Sequence, residues 1–421
     1  MPLPGKSFVF SPRASAGDNG ITALLGGLCL FLSVVEYLVP KPLPFMRIGL
    51  ANLPLLLALD LFSPGRFALL VLVKILGQGI VSGTLFSYVF LFSLAGTAAS
   101  ALVMYGLRRA AGKRSGFAGL GAAGAFASNA VQLILARYVV FGSSVRYLVP
   151  PFLASGAVSG FALGLFCGYF TARSTWYGRL RSPRAPENAA PPSPSCEARR
   201  DGKSSSRERR RERWDRLFPP GELFAAGLAA MCFFLFNPST ASRAVQFFFF
   251  MFLAFLSGKK INPLVTVFVM AGIVFFNLLA PYGRVIAEWG VFRVTEGALF
   301  AGLRRAFTLE GLLMLSGACI RPGLRFPGGA GVLLAESFGV LGRLRERKFS
   351  IRPGHIVEGL DKALLELDAR NQAPPEDAPS ARGTVLSRLF LALMAAAPAV
   401  PAVLTAAGFW QAPRWLPGSW G

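Results

Sequence analysis

Within the first 170 residues of this 421-residue chain, a few polar side chains stand alone inside long apolar runs: Glu36, Arg47, Asn52, Lys74, Gln78, Asn129, Gln132 and Arg137. Polar groups at membrane depth are costly, so each needs a partner or a task. Asn129 and Gln132 are three apart and share one helical face. Together they offer amide donors and acceptors without charge, as a pocket for a polar organic solute needs. Hydrogen bonding between helices uses the same groups, and spacing alone leaves both readings open. Glu36 and Arg47 flank a Pro-rich loop and can pair at the external surface; Arg47 can instead meet an anionic group of a substrate. Glu36 and Lys74 are also candidates for an ion pair or an ion pathway. Arg47, Asn52, Gln78, Asn129 and Gln132 are the candidate substrate contacts. Gly156, Gly160, Gly164 and Gly168 recur with period four and predict a close helix–helix approach.

Other chemistries find no footing in the sequence. It has no G-x-x-x-x-G-K-[ST] phosphate loop and no D-D-x-x-D cluster to hold magnesium diphosphate. His355, the single histidine, has no Cys or His at metal-binding spacing. Cys29, Cys167, Cys196, Cys232 and Cys319 are scattered, and no Ser or Cys sits in a triad motif. The expectation is a protein without catalytic residues, metal site or cofactor.

The elements that position these side chains must be membrane helices. The chain is 53% hydrophobic with mean hydropathy +0.51. A span needs roughly 20 mainly apolar residues, and 21–39, 85–107, 147–170, 217–236 and 261–280 meet that length. Their apolar runs are continuous, as in Phe247 to Phe250, whereas barrel strands alternate. The first half holds six apolar segments between 21 and 170. Two of them, 50–62 and 67–81, are short, and short segments survive at membrane depth only where protein or a cavity covers them. The stretch 21–39 reads as a retained first span, because no cleavage signature follows a basic start. Further apolar segments lie at 244–257, 297–320 and 385–410.

The formal net charge of +23 is unevenly placed. With the N-terminus inside, most Lys and Arg fall in cytoplasmic segments, as the positive-inside rule requires. Attraction to the lipid bilayer's anionic headgroups follows, and no aromatic-interleaved basic module points to nucleic acid. The composition divides the chain into a six-span domain over 1–170, a disordered basic cytoplasmic linker over 171–216 and a membrane domain over 217–421. That last part includes a cytoplasmic helical region near 321–384. Within it Ile356, Leu360, Leu364 and Leu367 share one face of an amphipathic helix, suited to a membrane surface, a partner or its own domain.

Segment 46–54, M-R-I-G-L-A-N-L-P, resembles the Gx transporter family, whose members are often labelled heptaprenyl diphosphate synthase component I. The likeness continues through 77–83, Leu85-Phe86-Ser87, Ser93-Leu94-Ala95-Gly96 and Ser128-Asn129-Ala130-Val131-Gln132, ending near Phe170. This family is similar to the substrate-binding S components of energy-coupling factor transporters. The resemblance implies a six-helix S-component fold with the ligand held near the external side. The second half is similar to the T component of those transporters, which implies separate ATPase subunits as partners. The nearest coupling feature, Arg343-Leu344-Arg345-Glu346-Arg347, departs from the Ala-Arg-Gly-like motifs of that class. The fold class expected is therefore all-α integral membrane, an S-component-like bundle followed by a T-component-like domain. The function expected is uptake of a small-molecule substrate through the bacterial cytoplasmic membrane. A secondary transporter without ATPase, and a non-catalytic accessory subunit of the prenyl synthase, are the alternatives.

Overall fold

The computed structural model describes residues 16–38, 49–181, 206–237, 239–259, 261–289, 292–321, 324, 328–346, 356–370 and 385–396. The first half is built from α1 (Ala16–Leu38), α2 (Leu53–Ala58), α3 (Pro64–Ser82), α4 (Tyr88–Ala111), α5 (Phe117–Ala136) and α6 (Val149–Arg173). Five of these, α2 excepted, are long and apolar enough to cross a membrane. Their boundaries follow local chemistry. Pro64 opens α3 at a position where its missing N–H costs nothing, and Gly83 closes it with φ +62°, a conformation glycine adopts freely. Arg108 and Arg109 occupy the last turn of α4, where cations complement the helix dipole.

The short segment is where the membrane constraint is most visible. A 3-10 turn, Leu50–Asn52, leads into α2, in which every residue from Leu53 to Ala58 is buried. Leu55, Leu56 and Leu57 are fully enclosed among α1, α3, α6 and the residues beyond α6. A six-residue helix cannot span lipid, so it exists here because protein covers it, as the sequence predicts. The outer faces of α4, α5 and α6 are the reverse: Leu102, Phe126, Ile134, Val158, Phe161 and Leu165 are exposed. A contiguous apolar surface of this kind faces hydrocarbon in a membrane protein.

The two ends of segment 171–216, read from the sequence as a disordered linker, are helical, and its middle, 182–205, lies outside the described residues. After α6 come α7 (Thr175–Arg181) and, beyond residues outside the described set, α8 (Ser206–Leu217). Each is anchored by aromatics that composition alone conceals: Trp176 and Tyr177 are buried in the first-half core, and Trp214 meets Phe218 in a tilted ring contact with centroids 4.7 Å apart. α8 then meets α9 (Pro220–Leu235) at a 90° bend.

The second half continues with α10 (Thr240–Leu256), α11 (Pro263–Leu278), a hairpin of β1 (Val285–Trp289) and β2 (Phe292–Thr295), then α12 (Glu296–Cys319), α13 (Gly329–Glu346), α14 (Ile356–Arg370) and α15 (Val385–Ala396). The hairpin corrects the all-α expectation. Its strands are antiparallel, rich in β-branched and aromatic residues, and join Glu288 to Arg293 at 3.2 Å. α9, α10 and α12 share a phenylalanine-rich core in which Phe234 and Phe250 meet edge to face at 5.2 Å. Of segment 385–410, only the twelve residues of α15 are described.

The halves interlock. α13, in the region read from sequence as cytoplasmic, packs along α1 and α3. Gly26 and Gly27 admit Ser337 and Val340 so closely that an added Cβ would overlap them, and Gly77 does the same for Leu30 and Leu334. α14 packs its Leu364 and Leu367 against the first-half core beside Trp176 and Tyr177. This amphipathic helix therefore packs within the chain, on the first half instead of on the 217–421 domain to which the sequence division assigns it.

Candidate functional site

Five helices and the Leu50–Asn52 turn converge on one small, partly open space. It is lined by Glu36 from α1, Asn52, Lys74 from α3, Thr97 from α4, Ser128, Asn129 and Gln132 from α5, and Ser159 from α6. Glu36, Lys74, Asn129 and Gln132 are each less than one-tenth exposed. Ionisable and amide side chains so buried need hydrogen-bond partners.

Those partners are largely local. Gly49, with φ +90°, turns its N–H toward Glu36 and donates to Oε1 at 3.1 Å. The Lys74 ammonium donates to Asn52 Oδ1, tying α3 to the turn. Asn129 Nδ2 donates to the Phe152 carbonyl of α6 at 2.8 Å. Gln132 Nε2 donates to Ser128 Oγ one turn earlier at 2.9 Å, while its Oε1 has no partner among the described protein atoms.

Two glycines make room for the two amides. A Cβ on Gly156 would collide with Asn129 Nδ2, and one on Gly96 would collide with Gln132 Nε2. Neither glycine has positive φ, so both are needed for space. Gly160 and Gly164 bring α6 onto the α5 backbone: their Cβ positions would fall against the Gly121 and Phe117 carbonyls. Gly168 differs, because the nearest atom to its Cβ position is Phe117 Cδ2 at 4.0 Å. Three of the four ladder glycines therefore serve close approach.

The space itself is about 30 Å³, room for about two water molecules. Ligand pockets usually hold several hundred Å³. An organic solute fits only if the wall moves.

The remaining sequence-derived candidates lie elsewhere. Gln78 does not line the space; one turn beyond Lys74, it faces α4 and accepts from Ser93 Oγ at 3.4 Å. Arg137 is exposed at the end of α5. Arg343 is half-buried and Arg345 exposed in the last turn of α13, with Leu344 buried between them. Arg47, Arg347 and His355 lie outside the described residues. Sequence reasoning missed Thr97, Ser128 and Ser159 as lining groups. Ser128 adjoins Asn129 and was open to detection; Thr97 and Ser159 are ordinary hydroxyls in apolar helices and carry no spacing signal.

Buried cations in the second half are held by main-chain carbonyls. Arg243 donates to Asn237 and Leu235 at 2.8 and 3.0 Å, Lys259 to Leu313 at 2.8 Å and Arg321 to Ser257 at 2.6 Å. The Leu235, Asn237 and Ser257 carbonyls lie at or just past helix C-termini, where basic groups satisfy unpaired acceptors, whereas that of Leu313 lies within α12. Asn277 bridges the halves, accepting from Arg305 and donating to the Val140 carbonyl at 3.1 Å.

Residues 25–170 match the family described as heptaprenyl diphosphate synthase component I, and residues 223–321 match a domain of unknown function, DUF8519. No curated protein and no solved structure matches the chain.

Proposed function

We propose that this membrane protein binds a small organic solute in the cavity between α1, α3, α4, α5 and α6 and carries it across the bacterial cytoplasmic membrane. In this reading it is a fused S- and T-type component of an energy-coupling factor-like transporter, and separate ATPase subunits near the exposed end of α13 supply the energy. One observation carries the reading: buried Glu36, Lys74, Asn129 and Gln132, drawn from three helices, face one space. Structural hydrogen bonding alone does not require four such groups to converge. The match over 25–170 supports it, because that span contains every described lining residue. The second half enters as the membrane scaffold against which the binding module works.

Asn129→Ala and Gln132→Ala are expected to weaken solute binding while leaving membrane insertion intact. Co-purification from native membrane tests the partners. Recovery without any ATPase, together with normal uptake in ATPase-deficient cells, would overturn energy coupling.

Two other readings each have an observation behind them. Glu36 and Lys74 line the same space, which suits a secondary transporter coupled to protons or ions. Uptake that collapses with the proton gradient and survives ATP depletion would favour it. The description of the matched family favours a non-catalytic accessory role in prenyl diphosphate synthesis. Loss of prenyl-chain synthesis on deletion, with transport unaffected, would select that role.

A further inference from the structure

We propose that Gln132 is the specificity-determining contact of the cavity, and that the bound solute presents it with a neutral hydrogen-bond donor: a hydroxyl, an amide N–H or a ring N–H. The proposal rests on the solute-binding reading of the cavity and adds what the solute must carry at one point.

Gln132 is 2% exposed and lines the space, with Nε2 committed to Ser128 Oγ at 2.9 Å and Oε1 unpartnered. A buried acceptor left without a donor is costly, and a site built around one rejects analogues that lack the matching donor by large factors. The amide is also fixed in place. Gly96 lies against its Nε2 with no room for a methyl group, and Ser128 lies beside both. Gly96 is therefore a positioning residue for Gln132. Asn129 is differently employed, because its Nδ2 is bound to the Phe152 carbonyl and braces α5 against α6.

The test uses the full chain purified in detergent, incubated with a ¹³C-labelled small-molecule extract of the source cells, gel-filtered and analysed by mass spectrometry. The wild type is expected to retain a solute bearing at least one neutral O–H or N–H donor. Gln132→Leu, similar in volume but without an acceptor, is expected to retain at least tenfold less. Gln132→Glu keeps an acceptor toward the solute and is expected to stay within about threefold of wild type, since one hydrogen bond is conserved. Gly96→Ala is expected to behave like Gln132→Leu by displacing the amide.

A packing role predicts the opposite order, with Leu tolerated and Glu worst; that order overturns the proposal. Retention lost in Asn129→Ala but unchanged in Gln132→Leu also overturns it while leaving the cavity as the binding site. Retention of nothing by the wild type removes the solute-binding reading, and this proposal with it.

Discussion

Asp361→Asn should release α14 from the first half without unfolding either. Asp361 stands on α14 and reaches a turn almost two hundred positions earlier in sequence. Its Oδ2 accepts from the Thr175 N–H at 3.1 Å and Oγ1 at 2.6 Å; its Oδ1 accepts from the Trp176 N–H at 3.0 Å and from the Ser174 hydroxyl. Asparagine keeps one of these oxygens and replaces the other with an NH₂ group. A hydroxyl can rotate to accept from that NH₂, but a backbone N–H cannot. One buried N–H is then opposed by a donor, costing about 1–3 kcal/mol, and the surviving bonds lose their charge assistance. A total near 2–4 kcal/mol raises the local opening equilibrium roughly 30- to 1,000-fold. Hydrogen exchange followed by mass spectrometry reads this directly in peptides from 356–370 and 174–181. Unchanged protection there, or an equal loss across α3 to α6, would refute a local latch.

The pH dependence follows from the same geometry. Burial pushes the Asp361 carboxyl up, but the hydrogen bonds from Ser174, Thr175 and the Trp176 N–H outweigh it and hold the group below the ordinary carboxylate value. A depressed folded value means that the contribution is fully present above the unfolded pKa of about 3.9 and disappears as pH falls through the folded one. Protection of α14, corrected for intrinsic exchange, should therefore be flat from neutral pH down to about 4. Undocking already under way at pH 5.5 would contradict the bonding pattern.

Two further outcomes come from packing and charge. Gly160→Ala places a methyl 2.5 Å from Ala125 Cβ and against the Gly121 carbonyl, whereas Gly168→Ala meets nothing nearer than 4.0 Å; the first should cost about 1–3 kcal/mol by overpacking and the second almost nothing, read as thermal stability in detergent. Asp60 and Arg108 form a bidentate pair at 2.7 Å with side chains about 15% exposed, while Arg211 and Asp215 pair at 3.8 Å with side chains 55% and 40% exposed. Asp60→Asn should therefore destabilise by about 1–3 kcal/mol and Arg211→Ala by under about 1 kcal/mol, and equal effects in the same assay would defeat the distinction.

Much of the first half was legible because hydrophobic length and interruption are local signals. The run 50–62 was too short to span, and burial from Leu53 to Ala58 is the physical resolution of that shortness. Asn129, Gln132, Lys74, Glu36 and Asn52 were visible as polar groups in apolar surroundings, and they converge. Gln78 had the same appearance, yet it bonds Ser93; polarity marks a helix position without saying which neighbour it meets. Other features depend on partners distant in sequence. Nothing near Gly26 and Gly27 announces Ser337 and Val340, and nothing near Ser174 announces Asp361. Trp176 and Trp214 lie in basic stretches whose average composition conceals two buried anchors.

The placement of α13 ties the cavity to the second half more closely than the sequence division implies. Glu36 is carried by α1 and Lys74 by α3, and α13 packs on these same two helices. Its grip lies at Gly26, Gly27 and Gly77, where close contact leaves no slack for side-chain adjustment. Tightly packed interfaces transmit displacement instead of absorbing it. The opposite wall, α5 against α6, is fastened by Asn129 to Phe152 and by Gly160 and Gly164 on the α5 backbone. A cavity of about 30 Å³ that must widen for an organic solute thus has one wall linked to the second half and one braced within the first.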